Sequence, residues 1–204
     1  MSCRIFATWV GNTPLMRALS IALVLFSATV AMAQSPQPGD VIFHQSRSAQ
    51  SRIIQQVTNS PWTHVGVVFE REGALYVLEA VQPVRWTRLR DWVRRGRGGE
   101  YTIRRPREPL SSEALDTLRE HGERYLGRAY DARFEWDERR IYCSELVWLM
   151  FEQGAGLRLS EPQPWSDLAL SPRQRLGRLP PPDALIVTPA ALLDSEALFD
   201  PAAE

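Results

Sequence analysis

Between residues 39 and 104 the apolar positions fall in short alternating or continuous runs, and beyond residue 110 they fall at helical spacing. Gly39-Asp40 opens the run Val41 to Phe43, a short strand. Residues 44 to 60 read as a loop and a helix. Ile53, Ile54 and Val57 give that helix one apolar face, and Asn59-Ser60-Pro61 ends it. Two β-branched runs, His64 to Glu70 and Leu75 to Ala80, flank Arg71-Glu72-Gly73-Ala74 and predict a hairpin. A short helix is expected over Arg88 to Arg95 and a third core strand over Tyr101 to Arg104. Ser111 or Ser112 caps the next helix, with Leu115, Leu118, Gly122, Tyr125 and Leu126 as its buried stripe. Residues 127 to 141 read as a polar and aromatic loop. A largely apolar helix over Cys143 to Gln153 follows and stops at Gly154 and Gly156. Residues 160 to 182 are irregular, anchored by Trp165 and Leu168. A last strand, Ala184 to Val187, leads to the cap pair Thr188-Pro189 and a helix to Leu193, with a frayed end after Phe199.

The hairpin has a consequence for chemistry. With its turn centred between Glu72 and Gly73, His64 faces Val81 and Glu79 is its diagonal neighbour. His64, Gly66, Val68, Leu75, Val77 and Glu79 then share one face, because side chains alternate along a strand. Diagonal neighbours lie about 7–8 Å apart by Cα, close enough for a carboxylate to fix the tautomer of an imidazole. Gly66, between the two, lets another element approach closely. The helix beginning at Cys143 carries Leu146, Val147, Met150 and Phe151 on one stripe. If that stripe packs on the face bearing His64, the thiol reaches the imidazole. A cysteine in the first turn of a helix is also biased toward thiolate by the unpaired amides.

The N-terminus changes how that cysteine is read. Arg4 and Arg17 precede the apolar run Leu19 to Val30, which ends in Ala31-Met32-Ala33-Gln34. This has the form of a secretory signal with an A-x-A site, and the run is too short for a bilayer span of roughly 20 residues. Residues 1–33 are thus expected to be a signal peptide and 34–204 a single catalytic domain in the periplasm or secreted, with no stable membrane span after cleavage. Met16 offers a second, shorter start to the same signal. Removal of residues 1–33 takes Cys3 with it and leaves Cys143 as the sole thiol in an oxidising compartment. Such a thiol is either buried and inert or kept for its reactivity. A base and an orienter predicted nearby favour reactivity, with the N–H of Cys143 as an oxyanion donor.

Composition narrows the alternatives. The chain has 24 basic residues, all arginine, against 24 acidic ones, and 44% hydrophobic residues. This charge balance argues against a nucleic-acid partner and against an acidic disordered chain. His44, His64 and His121 lack metal-ligand spacing, and Gly96-Arg97-Gly98 is not followed by a helix as a phosphate cradle would be. Neither a metal nor a cofactor is expected.

The motifs Gly39-Asp40-Val41-Ile42-Phe43, Ser46 to Ser51, Thr63-His64-Val65-Gly66, Val77-Leu78-Glu79-Ala80, Tyr125 to Asp131 and Tyr142-Cys143-Ser144-Glu145-Leu146-Val147 occur in that order over most of residues 39–190. In this order they resemble the permuted papain-like family of NlpC/P60 relatives, the YiiX/YaeF-type C92 peptidases. There the histidine precedes the cysteine. The resemblance implies an α+β fold, an antiparallel barrel-like sheet packed against helices. It also implies Cys143 as nucleophile, His64 as base and Glu79 as the third polar group.

Among supporting residues, Asp40 either positions a group near the site or caps the turn before its strand. Glu145 either satisfies helix amides or serves the site. Tyr130 shapes the loop before the cysteine helix, and Tyr142 walls the cleft. The arginines from Arg85 to Arg97, with Trp86 and Trp92 among them, form a solvated face or draw an anionic polymer or lipid head group. The main reading is a thiol hydrolase cleaving an amide, with cell-wall peptide as a plausible substrate. Acyl transfer or lipid-ester cleavage is the second reading, with an acyl-lipid partner. A wall- or ligand-binding module with an idle thiol is the third.

Overall fold

The computed structural model describes residues 35–136, 139–168 and 180–203. The predicted signal segment, residues 1–33, and residues 169–179 of the irregular stretch lie outside the described residues. Pro36–Glu204 is one compact unit.

Its centre is a six-stranded antiparallel sheet. Strands β1 (Val41–His44), β2 (His64–Arg71), β3 (Ala74–Glu79), β4 (Arg85–Arg88), β5 (Thr102–Pro106) and β10 (Leu198–Phe199) stand in the order β10-β5-β1-β2-β3-β4. Helix α1 (Ala49–Thr58) links β1 to β2, and α2 (Leu89–Arg95) follows β4 directly. After β5 come α3 (Ser112–Glu123), the short parallel pair β6 (Ala129–Tyr130) and β7 (Arg140–Ile141), and α4 (Cys143–Leu149). Strands β8 (Gln163–Pro164) and β9 (Leu185–Ile186) pair with each other, and α5 (Pro189–Leu193) precedes β10.

The hairpin register is the one its turn predicts. Val67 pairs with Leu78, Val68 with Val77 and Phe69 with Tyr76, and continuing it sets Glu79 opposite Gly66. Turn residues Glu72 and Gly73 both have positive φ, 52° and 71°, the backbone that a two-residue hairpin turn needs. Two other details match the sequence closely. Ser111 and Thr188 cap α3 and α5, each accepting a hydrogen bond at 3.1 Å from the amide three residues on.

The two sheet faces are covered differently. Val65, Val67, Phe69 and Leu78 face Leu146, Val147, Met150 and Phe151 of the α4 region in the largest apolar cluster. On the other face Ile42, Val68 and Val77 pack against Trp92 of α2. Each fully buried aliphatic or aromatic side chain of that core contributes about 1.5–3 kcal/mol, as an upper bound. Gly122 of α3 allows a close approach to the core, since a Cβ there would lie 2.4 Å from Leu78 Cδ2 and 2.8 Å from Met150 Sδ.

Several elements differ from expectation. Strand β4 lies in a stretch read as a run of arginines. It pairs with β3 and forms one edge of the sheet. Residues 127–141 are not simply a loop, since β6 and β7 pair within them. The cysteine helix changes to a π-helical turn over Met150–Ala155 before Gly156 ends it. After Phe199 the end is tied down at its first residues, since Asp200 Oδ2 meets Arg104 Nη1 at 2.9 Å and Pro201 is buried, while Ala202 and Ala203 are exposed. Leu126 leaves the buried stripe of α3 and is 42% exposed, because the helix ends at Glu123.

Candidate active site

The site forms where β2, β3 and α4 begin or end. Glu79 is the last residue of β3 and is fully buried. Four donors surround its carboxylate. His64 Nε2 lies 2.6 Å from Oε2, Trp92 Nε1 donates to Oε2 at 2.9 Å, and Thr87 Oγ1 donates to Oε1 at 2.6 Å. Arg95 Nη2 also donates to Oε2. Burial alone would raise the carboxyl pKa, but the bonds and charges of His64 and Arg95 overcome it and hold the group at about 2. Gly66 makes room for this arrangement. A Cβ there would lie 2.4 Å from Val77 Cγ1 and 3.4 Å from Glu79 Cβ. The element that approaches Gly66 is therefore the neighbouring strand.

His64 is the first residue of β2. Burial disfavours its charge, yet hydrogen bonds and attraction from Cys143 and Glu79 raise its pKa to about 9. With Nε2 turned to Glu79, Nδ1 is the nitrogen left to exchange a proton with the thiol. Cys143 is a free, buried cysteine at the first position of α4. Burial pushes its thiol up. The His64 imidazole, with the backbone amides of Val65 and Ser144, outweighs that and sets it below the ordinary thiol value. The three sequence-predicted residues are thus brought together as a connected chain, thiol to imidazole to carboxylate.

The route of the thiol to the imidazole is a correction. The α4 stripe packs on the face bearing Val65, Val67 and Leu78, opposite the face that carries His64 and Glu79. The two meet because His64 and Cys143 both sit at element starts. There the ring reaches past the strand end to the thiol, and the Val65 backbone amide helps to lower the thiol pKa.

The other predicted positions separate. Tyr130 reaches the sulfur, and its hydroxyl is a hydrogen-bond partner of Cys143. Burial and the nearby thiolate push its pKa well up, so it stays protonated and able to donate. Tyr142 does not wall the cleft. It is 1% exposed, its ring meets Phe134 at 5.4 Å, and its hydroxyl accepts from Val187 N at 3.1 Å. Asp40 is no part of the site. It is clamped by Arg105 through Nε–Oδ1 at 2.8 Å and Nη2–Oδ2 at 2.9 Å, and it accepts from Gln37 N at 2.9 Å. Glu145 accepts from Tyr142 N at 3.2 Å, a helix-start role.

Four residues were not singled out as site residues from sequence: Thr87, Trp92, Arg95 and His44. The first three converge on Glu79. Trp92 and Arg95 are three apart on one helix, a spacing that places them on one face, but their setting among exposed arginines hid this. His44 pairs with His64 across β1 and β2. Its ring stacks on Trp92 at 3.9 Å and lies 5.1 Å from that of His64. Burial, then the charges of His64 and Arg95, lower its pKa to about 3. It therefore stays neutral and adds no second charge beside His64. A cavity of about 360 Å³ opens onto His64 and Tyr130, the two side chains that touch the sulfur.

An antiparallel sheet, a late helix led by cysteine and an earlier strand led by histidine define a papain-like architecture in permuted order. The chain belongs to the C92 family, whose model, described as permuted papain-like amidase enzyme, YaeF/YiiX, matches residues 35–199. It is 37% identical over 191 residues to the uncharacterized protein YiiX of Escherichia coli (strain K12), covering 90% of this chain and 95% of that one. It is also similar to the crystal structure of metalloprotein yiiX from Escherichia coli O157:H7, with a TM-score of 0.76 and 38% identity. That match covers 80% of this chain and 95% of the other. Membership makes amide hydrolysis the general reaction class.

The metal in that relative's description finds no counterpart in the donor set here. Among the described residues no group of three or more His, Cys, Asp or Glu could hold a metal ion. The Glu79 oxygens already face the donors Arg95, Trp92 and Thr87, which compete with a cation rather than assist one.

Proposed function

We propose that the mature chain is a periplasmic or secreted thiol amidase, with Cys143 as nucleophile, His64 as acid and base, and Glu79 as the group that orients the imidazole. The observation that supports this reading is that Cys143 lies beside His64, whose Nε2 is 2.6 Å from Glu79 Oε2. In the resting site the thiolate faces an imidazolium. The sulfur attacks the amide carbonyl and a tetrahedral oxyanion forms. His64 then gives its proton to the leaving amine as the C–N bond breaks, which leaves an S-acyl enzyme. Water, deprotonated by the now neutral His64, attacks the acyl carbon and releases the carboxylic acid. The protonated Tyr130 hydroxyl beside the thiol donates to the oxyanion. Peptides of the cell wall are the substrate class that fits the compartment.

Mass spectrometry tests this directly. Wild type and Cys143→Ser are incubated with wall fragments and, separately, with acyl lipids. The expected result is cleaved wall peptide and an acyl adduct on Cys143 in the wild type alone. Cleavage that persists in Cys143→Ser would sink the reading. Adducts from lipids only would convert it to lipid acyl transfer or hydrolysis.

A further inference from the structure

We propose that the cavity beside the thiol is a subsite for a substrate carboxylate, with Arg95 as its specificity-determining residue. The inference rests on the thiol-amidase reading and deepens it by naming the substrate class: short peptides that carry a free carboxylate near the scissile amide.

Three observations lead there. The first is the lining. The cavity of about 360 Å³ is bordered by the hydroxyls of Ser46, Ser51 and Thr63, the amides of Gln50 and Gln82, and Arg95, with no Asp or Glu among its described lining residues. Arg95 is the one permanent charge on that wall. A carboxylate entering it meets a cation and neutral donors and no repelling anion. The volume is at the small end of ligand pockets, and Ile54, Ala80, Val81 and Ala132 complete the wall with apolar surface.

The second observation is that Glu79 does not need Arg95 to be satisfied. His64, Trp92 and Thr87 already donate to its two oxygens. A buried carboxylate with three donors, one of them charged, is well held without a further cation. Arg95 is thus a cation on the cavity wall that the bonding of Glu79 does not require.

The third is the geometry of Arg95 itself. It gives Nη2 to Glu79, yet its side chain stays 34% exposed while Glu79 is sealed. A guanidinium is a planar fork with five N–H donors. Nη2 is turned to Glu79 while the partly exposed side chain also borders the cavity, and an arginine with donors left over can hold a second carboxylate through paired hydrogen bonds.

The probes are iodoacetyl-capped ω-amino acids of increasing length, each with its matched carboxamide. In every case the Cys143 sulfur forms a bond to the methylene carbon as iodide leaves, so the chemistry is constant and only the terminal charge varies. The folded full mature chain is labelled at neutral pH and alkylation of Cys143 is timed by mass spectrometry. At one chain length the carboxylate is expected to label about tenfold faster than its carboxamide, the scale of a charge-assisted hydrogen-bonded pair. R95Q removes that ratio, R95K retains part of it, and shorter or longer probes show less of it. The wild-type ratio needs no variant, so the inference stays testable if R95Q fails to fold. Equal rates for both members at every length would overturn it. So would a preference that folded R95Q keeps, since the imidazolium of His64 would then be its source. A phosphonate-terminated probe that outpaces the carboxylate would replace the proposal with a phosphate site. In all these outcomes fast, His64-dependent labelling by the carboxamides leaves the thiol reading standing. Slow labelling by every probe, unchanged in His64→Ala, would end both.

Discussion

The two faces of the sheet are built from the same strands and both bury apolar side chains, but only one adds a polar cluster. Toward α4, β2 offers Val65, Val67 and Phe69 to Leu146, Val147, Met150 and Phe151, and adhesion is the burial of apolar surface. Toward α2, the same strand offers His64, and β3 offers Glu79. There the covering helix brings Trp92 and Arg95 as partners for a buried carboxylate. The apolar face fixes where α4 begins, and so where the sulfur lies. The polar face fixes the charge and orientation of the imidazole. Neither face alone holds both the thiol and the imidazole. The alternation of one strand couples them at its first residues, His64 and Val65.

The strongest test of that coupling removes one member from each side. Cys143→Ala, at the end of the apolar face, and His64→Ala, at the end of the polar face, are each expected to lower amide turnover at least about 10³-fold. The double variant is expected to be little worse than either single one, since residues that act as a unit are not additive. Turnover with each substrate and initial rates for the three variants check this. Additive losses would show that the two residues serve separate events.

The next test asks whether the faces differ in kind. Glu79→Gln keeps the shape but removes the charge that Arg95 and His64 face. Turnover is expected to fall about 10²-fold or more, with a loss of several kcal/mol in stability from the broken buried pair. Leu146→Ala on the apolar face is expected to cost about 2–5 kcal/mol of stability, with turnover per folded molecule close to wild type. Denaturant unfolding and active-site titration on the same samples separate the two effects. Equal activity losses per folded molecule would erase the distinction drawn between the faces.

What the sequence made legible follows the same division. Its hairpin register could be read because the turn Glu72-Gly73 and the alternation of Val65 to Val68 leave one pairing that buries a consistent set of side chains. From that register came the His64–Glu79 contact. The cysteine helix could be read from its apolar stripe. What could not be read was which face that helix covers, because the middle of β2 is apolar on both sides, as Val65, Val67 and Phe69 on one and Val68 on the other show. Arg95 and Trp92 were hidden for another reason. Their neighbours Arg90 and Arg94 are exposed, 82% and 77% by side chain, so local composition reported a solvated helix. The partner that buries the other side of the helix, Glu79, is sixteen residues from Arg95 in sequence. Short elements such as β6, β7 and β10 depend on pairing partners set by the whole fold and carry too few residues to show a period.

The smallest expected effect concerns protons, and it separates the two histidines of the polar face. His44 has a folded pKa of about 3 against an ordinary 6.5. The unfolded chain therefore takes up a proton that the folded one refuses. Its contribution to stability is full above pH 6.5 and is lost as pH falls toward 3. Glu79, at about 2 against 4.5, adds a second loss that starts only below pH 4.5. His64 has the opposite sign. Its folded pKa is about 9, so its contribution is full below 6.5 and disappears as pH rises through 9. The Cys143 labelling rate should change over that same upper range, as the imidazolium that lowers the thiol pKa is titrated. His44→Phe keeps a ring against Trp92 and cannot be protonated. It is expected to flatten the acid limb of the stability curve between pH 6.5 and 4.5, to leave the limb below 4.5 in place, and to leave the alkaline limb near 9 unmoved. Urea midpoints from pH 3 to pH 10 for both proteins, with alkylation rates on the same series, read all three limbs. An acid limb that His44→Phe does not change would place the proton uptake elsewhere and remove His44 as the neutral spacer beside His64.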